Sequence, residues 1–276
     1  MTAHLTVDAG TIAYEVTGDG PLVVLAPGMG DTREAYRFVV PRLVAAGYRV
    51  AAVDLRGLGD SSATWPSYSR TDIAGDLIAV IRHLGGPAVL VGHSISGGAA
   101  TIAAAQAPEL VTGIVELAPF TRAQAMSLGD LRARNYRKGM YRMVGAMMGS
   151  VSGWLGYLEQ AYPGKKPADW TTRQAEIGAM MREPGRMKAL QKMMQTPPAD
   201  AGAQLGNVRC PVLIVEGSLD PDWVDPRAEG EAIVAALPAG LGRLEMIEGA
   251  GHYPHAQYPD ETVALLLAFL QANARA

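Results

Sequence analysis

The chain almost lacks cysteine. Cys210 stands alone among 276 residues, so no internal disulfide can form and no site needing several thiolates can be built. Long apolar runs are missing too: none approaches the ~20 uncharged residues of a membrane span. Charge is sparse, 18% of residues against 49% apolar, which excludes a disordered chain and leaves material for a large core. The 32 glycines and 18 prolines follow no Gly-X-Y period, and no repeat or low-complexity tract is visible. From Met1 to Tyr14 no basic start precedes an apolar run, so no signal peptide is expected and a cytoplasmic location is the default. No His, Cys and carboxylate cluster has metal-ligand spacing, and Gly57-Leu58-Gly59 lacks the context of a dinucleotide site. Neither metal nor cofactor is expected.

What charge there is lies unevenly. The net charge of −3 conceals a segment, Thr121 to Gln195, with 13 Lys+Arg against 5 Asp+Glu, while the remainder has 11 against 22. The asymmetry describes surfaces and names no partner.

Hydrophobic patterning divides the chain into a repeated cycle and an interruption. Residues 4–18 alternate loosely and turn at Gly10, as an edge hairpin does. Leu22 to Ala26 is fully apolar and stops at Pro27-Gly28, the mark of a strand buried on both faces. Asp31 with Glu34 resembles a capping box before a helix carrying Val40, Leu43 and Val44 and ending at Gly47. Strands follow at 48–55, 88–91 and 111–117, with helices at 71–84 and 96–107. Alternation of this kind implies a mostly parallel sheet with helices on both faces. The cycle then breaks and resumes with strands at 212–215 and 243–247 and helices at 227–237 and from Pro259. The interruption is helical in tone. It holds 10 of the 13 methionines, and Pro163-Gly164 and Pro184-Gly185 cut it into four pieces. The expected organisation is a core of 1–119 and 198–276 with an inserted helical cap at 120–197.

In an open parallel sheet, ligands bind beyond the carboxyl ends of the strands. Three of those ends carry chemistry. Gly92-His93-Ser94-Ile95-Ser96-Gly97-Gly98 spans a strand-to-helix junction, the context of a nucleophile elbow, in which small residues flank a serine on a strained turn. Ser96 stands where a second glycine is usual. The next strand end is Glu216-Gly217-Ser218-Leu219-Asp220-Pro221-Asp222, and the last is Gly249-Ala250-Gly251-His252. A serine hydroxyl needs a base, and the base an orienting acid. The order Ser94, Asp220, His252 is that of an α/β-hydrolase triad. Asp222 and Asp225 nearby are alternative acids. His93 should point away from Ser94 in a structural role, and His255 reads as a polar loop position. Cys210 reads as an inert core thiol.

These motifs, with Ala26-Pro27-Gly28-Met29-Gly30 and Asp54-Leu55-Arg56-Gly57-Leu58-Gly59-Asp60-Ser61, resemble the α/β-hydrolase fold of the lipase/esterase type with an inserted cap, over nearly the whole chain. The resemblance implies an oxyanion hole made of the Met29 and Ile95 backbone N–H groups. It implies that Asp54 and Arg56 belong to a structural turn, and it adds Glu116, near where some members place the acid, as a further alternative acid. It also implies hydrolysis of a carboxylic ester of a small to medium, largely apolar molecule through an acyl-enzyme. C–C, thioester or lactone hydrolysis would use the same triad. Pro27 replaces the family's histidine, so that loop must be braced differently. The Gly-His-Ser-Ile-Ser elbow also resembles that of the karrikin and strigolactone receptors, which implies a ligand-sensing alternative with slow turnover. The expected partner is a small ester-like molecule, with no nucleic acid and no integral membrane contact. The cap offers a face for a homodimer. Its methionines fill gaps or line a deformable pocket. Trp154, Tyr157 and Trp170 are candidates for the substrate wall.

Overall fold

The computed structural model describes residues 1–123, 127 and 129–274. Eight strands form one sheet in the order β1-β2-β4-β3-β5-β6-β7-β8. β1 (Ala3–Val7) and β2 (Gly10–Thr17) make the expected edge hairpin, and β2 pairs antiparallel with β4 (Arg49–Val53). From β4 onward every pairing is parallel, through β3 (Leu22–Ala26), β5 (Ala88–His93), β6 (Val111–Leu117), β7 (Val212–Gly217) and β8 (Gly242–Ile247).

The apolar runs are central strands because both faces are covered. Every residue of β3, β5 and β7 is buried. Alternate side chains feed two cores, as a period of two requires. Val24, Leu90 and Ile114 pack on the face of α2 (Arg70–His83) and α3 (Ile95–Gln106). Val23, Leu25, Val89 and Val91 face the opposite core, shared with Leu43 of α1 (Val40–Ala45) and Leu266 and Leu270 of α11 (Pro259–Asn273). Ser69 and Asp72 close a capping box on α2, a device worth about 1 kcal/mol.

The Asp31–Glu34 capping box does not form. The chain enters a 3-10 turn at Arg33–Tyr36 with no side-chain cap, and α1 starts later, at Val40. Asp31 is drawn away by a buried ion pair with Arg173. A charge-assisted bond outweighs a local cap.

Between β6 and β7 run α4 (Arg134–Met147), α5 (Val151–Ala161), α6 (Trp170–Arg182), α7 (Arg186–Met194) and the short α8 (Ala199–Gly202). The first four are the pieces cut by Pro163-Gly164 and Pro184-Gly185. They lie over the carboxyl end of the sheet. Trp154 packs on Gly30, and the Ala161 carbonyl accepts from the His252 N–H at 2.9 Å. After β7 come α9 (Pro226–Ala236) and, past β8, α10 (Pro254–Gln257). Among the described residues no helix is long and apolar enough to cross a membrane.

Candidate active site

Ser94 joins β5 to α3 with φ 55° and ψ −119°, a left-handed conformation that serine rarely adopts. Close packing enforces the turn. A Cβ on Gly92 would run into the Ser96 and Gly97 backbone, and one on Gly97 into Pro119. Ser96 is tolerated because it has work to do. Its buried hydroxyl donates to the Pro27 carbonyl at 2.6 Å. The two departures from the family pattern, Pro27 and Ser96, therefore meet. Tyr36 adds a hydrogen bond to the Ala26 carbonyl at 2.9 Å, so the loop after β3 is held without a histidine. Neither the Met29 nor the Ile95 backbone N–H donates to a described residue.

His252 follows β8. Its Nδ1–H donates to Asp220 Oδ2 at 2.8 Å, and Asp222 Oδ2 lies 3.4 Å from the same nitrogen. The Asp222 N–H donates to Asp220 Oδ1 at 2.9 Å, and Tyr157 on α5 donates to Asp222 at 2.6 Å. The imidazole thus faces two carboxylates. Burial opposes its charge, but Asp220 and Asp222 outweigh burial and raise its pKa to about 9. Asp222 is pushed up to about 6, by burial first, with Asp220 adding to it against the pull of His252. Ser94 is 2% exposed, and its hydroxyl makes no hydrogen bond among the described residues.

A cavity of about 290 Å³ adjoins this cluster, walled by Met29, Phe120, Asp222, Trp223 and, from the helices between β6 and β7, Tyr136, Met140, Met143, Met147 and Met194, with Arg122 at one side. Arg122 pairs with Glu229 at 2.7 Å.

The model of the alpha/beta hydrolase family matches residues 23–265. The chain belongs to that family. Among curated relatives of this alpha/beta hydrolase, 2-(acetamidomethylene)succinate hydrolase from Mesorhizobium japonicum is 28% identical over 96% of this chain and 94% of its own. The pimeloyl-(acyl-carrier protein) methyl ester esterase of Neisseria meningitidis is 28% identical over 92% and 94%. Among solved structures, an esterase from Exiguobacterium antarcticum superposes with a TM-score of 0.79 at 22% identity, covering 98% of this chain and all of that one.

Other candidate residues of the hydrolase fall elsewhere. Glu116 is buried against Thr101 and Thr121, with burial raising its pKa to about 7. Asp225 caps α9. Asp54 accepts from the Arg33 and Asp60 backbone, and Arg56 pairs with Asp76. Cys210 is buried, its thiol pushed up to about 11 by burial.

His255 is not a polar loop position. It is fully buried, stacked on Tyr36, and burial holds its pKa down at about 3. His93 packs between Tyr253 and His255 and donates through Nε2 to the His252 carbonyl at 2.7 Å. It braces the loop that carries the imidazole. Trp154 and Tyr157 stack on each other in the interior, and Trp170 packs on Tyr162. The aromatic wall is instead Phe120, Tyr136 and Trp223. The double engagement of His252 escapes the sequence reading, which treats Asp220 and Asp222 as rivals. Their spacing of two residues across Pro221 was the available signal.

Proposed function

We propose that this alpha/beta hydrolase cleaves a carboxylic ester of a small to medium, largely apolar molecule through an acyl-enzyme. One observation carries the reading. A strained serine on the β5–α3 elbow and an aspartate-oriented histidine follow the carboxyl ends of parallel strands of one sheet, Ser94 after β5, Asp220 after β7 and His252 after β8. Ser94 Oγ attacks the carbonyl as His252 Nε2 takes its proton. Asp220 holds the imidazole through Nδ1 and stabilises its charged form. The Met29 and Ile95 N–H groups receive the developing oxyanion. His252 then returns the proton to the departing alcohol, and a water repeats the sequence on the ester of Ser94. The methionine and aromatic walls of the cavity suit an apolar acyl or alcohol part. Residues 120–197 serve as the cap that shapes this cavity. The ester and methyl ester chemistry of the esterase relatives agrees with this assignment. A buried, lone Cys210 fits a reducing cytoplasm.

The test is intact-protein mass spectrometry after brief fluorophosphonate exposure, beside turnover of 4-nitrophenyl esters. A single adduct is expected on the wild type and none on Ser94→Ala, whose turnover falls by roughly 10⁴-fold or more with the fold retained. Full activity in that variant would sink the acyl-enzyme.

One observation favours a second reading, a ligand-sensing protein with slow turnover. With His252 raised to about 9 and Ser94 unbonded to it, the resting base is protonated near neutrality. Rapid multiple turnover at pH 7 without a partner protein excludes this reading.

A further inference from the structure

The cap helix α4 is built unlike its neighbours. One side buries Tyr136, Gly139 and Ala146, and Gly145 meets Gly153 of α5 closely enough that a Cβ on Gly153 would strike the α4 backbone. The outer side is apolar and basic together. Tyr141, Val144 and Met148 are 77%, 50% and 81% exposed. Arg134, Arg137, Lys138 and Arg142 stand among them, and the helix carries no carboxylate. None of these four cations forms an ion pair with a described residue. Three of them, Arg137, Lys138 and Arg142, line a recess of about 390 Å³ with Tyr141 and Gln160.

We propose that α4 docks the enzyme on an anionic phospholipid surface. Headgroup phosphates enter the recess, and Tyr141, Val144 and Met148 enter the interface. Charge selects the occupant. A second copy would bring two basic faces together. An acidic protein would meet the cations but would not by itself account for large apolar side chains standing in water beside them. An anionic bilayer satisfies both, as it does for interfacial amphipathic helices. The same helix walls the cavity through Met140, Met143 and Met147. Docking therefore sets the cavity wall at the lipid boundary, where apolar molecules concentrate.

The experiment is co-sedimentation of the full chain with vesicles of phosphatidylglycerol and phosphatidylcholine, against phosphatidylcholine alone. Binding to the anionic vesicles only is expected, weakening as salt screens the charges. Arg137→Gln with Lys138→Gln and Arg142→Gln should lower partitioning by about 100-fold. Tyr141→Ser with Met148→Ser should lower it roughly ten-fold, through apolar area left in water. Thermal unfolding, unchanged in both variants, shows that the fold is intact. Equal or absent binding to the two vesicle types overturns the proposal. Anionic binding untouched by the Tyr141 and Met148 changes also overturns it, since a charge-only surface suits an acidic protein. So does a dimer, seen in sedimentation velocity and broken by those changes, that binds no vesicle.

Discussion

α4 and α5 lie side by side between β6 and β7 and bury very different things. α5 sinks Trp154, Tyr157, Leu158 and Ala161 into the structure. It stacks Trp154 on the loop after β3 and aims Tyr157 at Asp222. α4 buries one large side chain, Tyr136, and leaves most of its apolar bulk outside. Both helices hold many apolar residues, though α4 adds four cations and α5 none. The difference is the partner. α5 meets the sheet's loops and joins its core, whereas α4 rests on α5 and turns outward. α5 and α6 also hold the site together. Arg173 clamps Asp31 and Thr32 beside the Met29 amide, with the Thr32 hydroxyl 2.8 Å away.

Mutation can break this contrast. The largest stability effect is expected at Trp154→Ala, which empties a fully buried indole and loosens the loop bearing Gly30. A loss of about 3–5 kcal/mol is expected in denaturant unfolding. A loss under about 1 kcal/mol would mean that α5 is as peripheral as α4.

The next effect concerns pH. His252 takes a proton only when neutral, so kcat/KM should rise with pH through about 9. Asp222→Asn removes one of the two carboxylates, and the midpoint should move to lower pH. An unmoved midpoint would exclude Asp222 from the electrostatics of the site. The same raised pKa bears on stability. The folded state holds the proton more tightly than an ordinary histidine of about 6.5. That contribution is complete below about 6.5 and is lost as pH rises through about 9. The smallest effect is expected at Met148→Ser on α4, within about 0.5 kcal/mol of wild type by thermal unfolding. A larger loss would show that α4 packs as tightly as α5.

The same contrast marks how far the sequence could be read. The central strands of the parallel cycle were legible, because runs such as Leu22–Ala26 and Val212–Val215 are apolar whichever face is asked. The boundaries moved by a residue or two, as at α2 and β7. The elbow was legible from small residues flanking Ser94 at a strand-to-helix junction, although Ser96 breaks the usual glycine spacing. Asp31 and His255 were misread because a local pattern described them well. Asp31 looked like a cap until Arg173, 142 residues away, claimed it. His255 looked like loop until Tyr36 covered it.

The sequence by itself determined the order of elements, the strained elbow at Ser94 and the succession of Ser94, Asp220 and His252, since each is written in contiguous residues. Tertiary structure alone decided that Ser96 would brace Pro27, that two aspartates would share one imidazole, and which way the faces of α4 and α5 would turn. Those outcomes depend on contacts between distant segments. A local pattern records how apolar or flexible a residue must be, but not which partner it will meet.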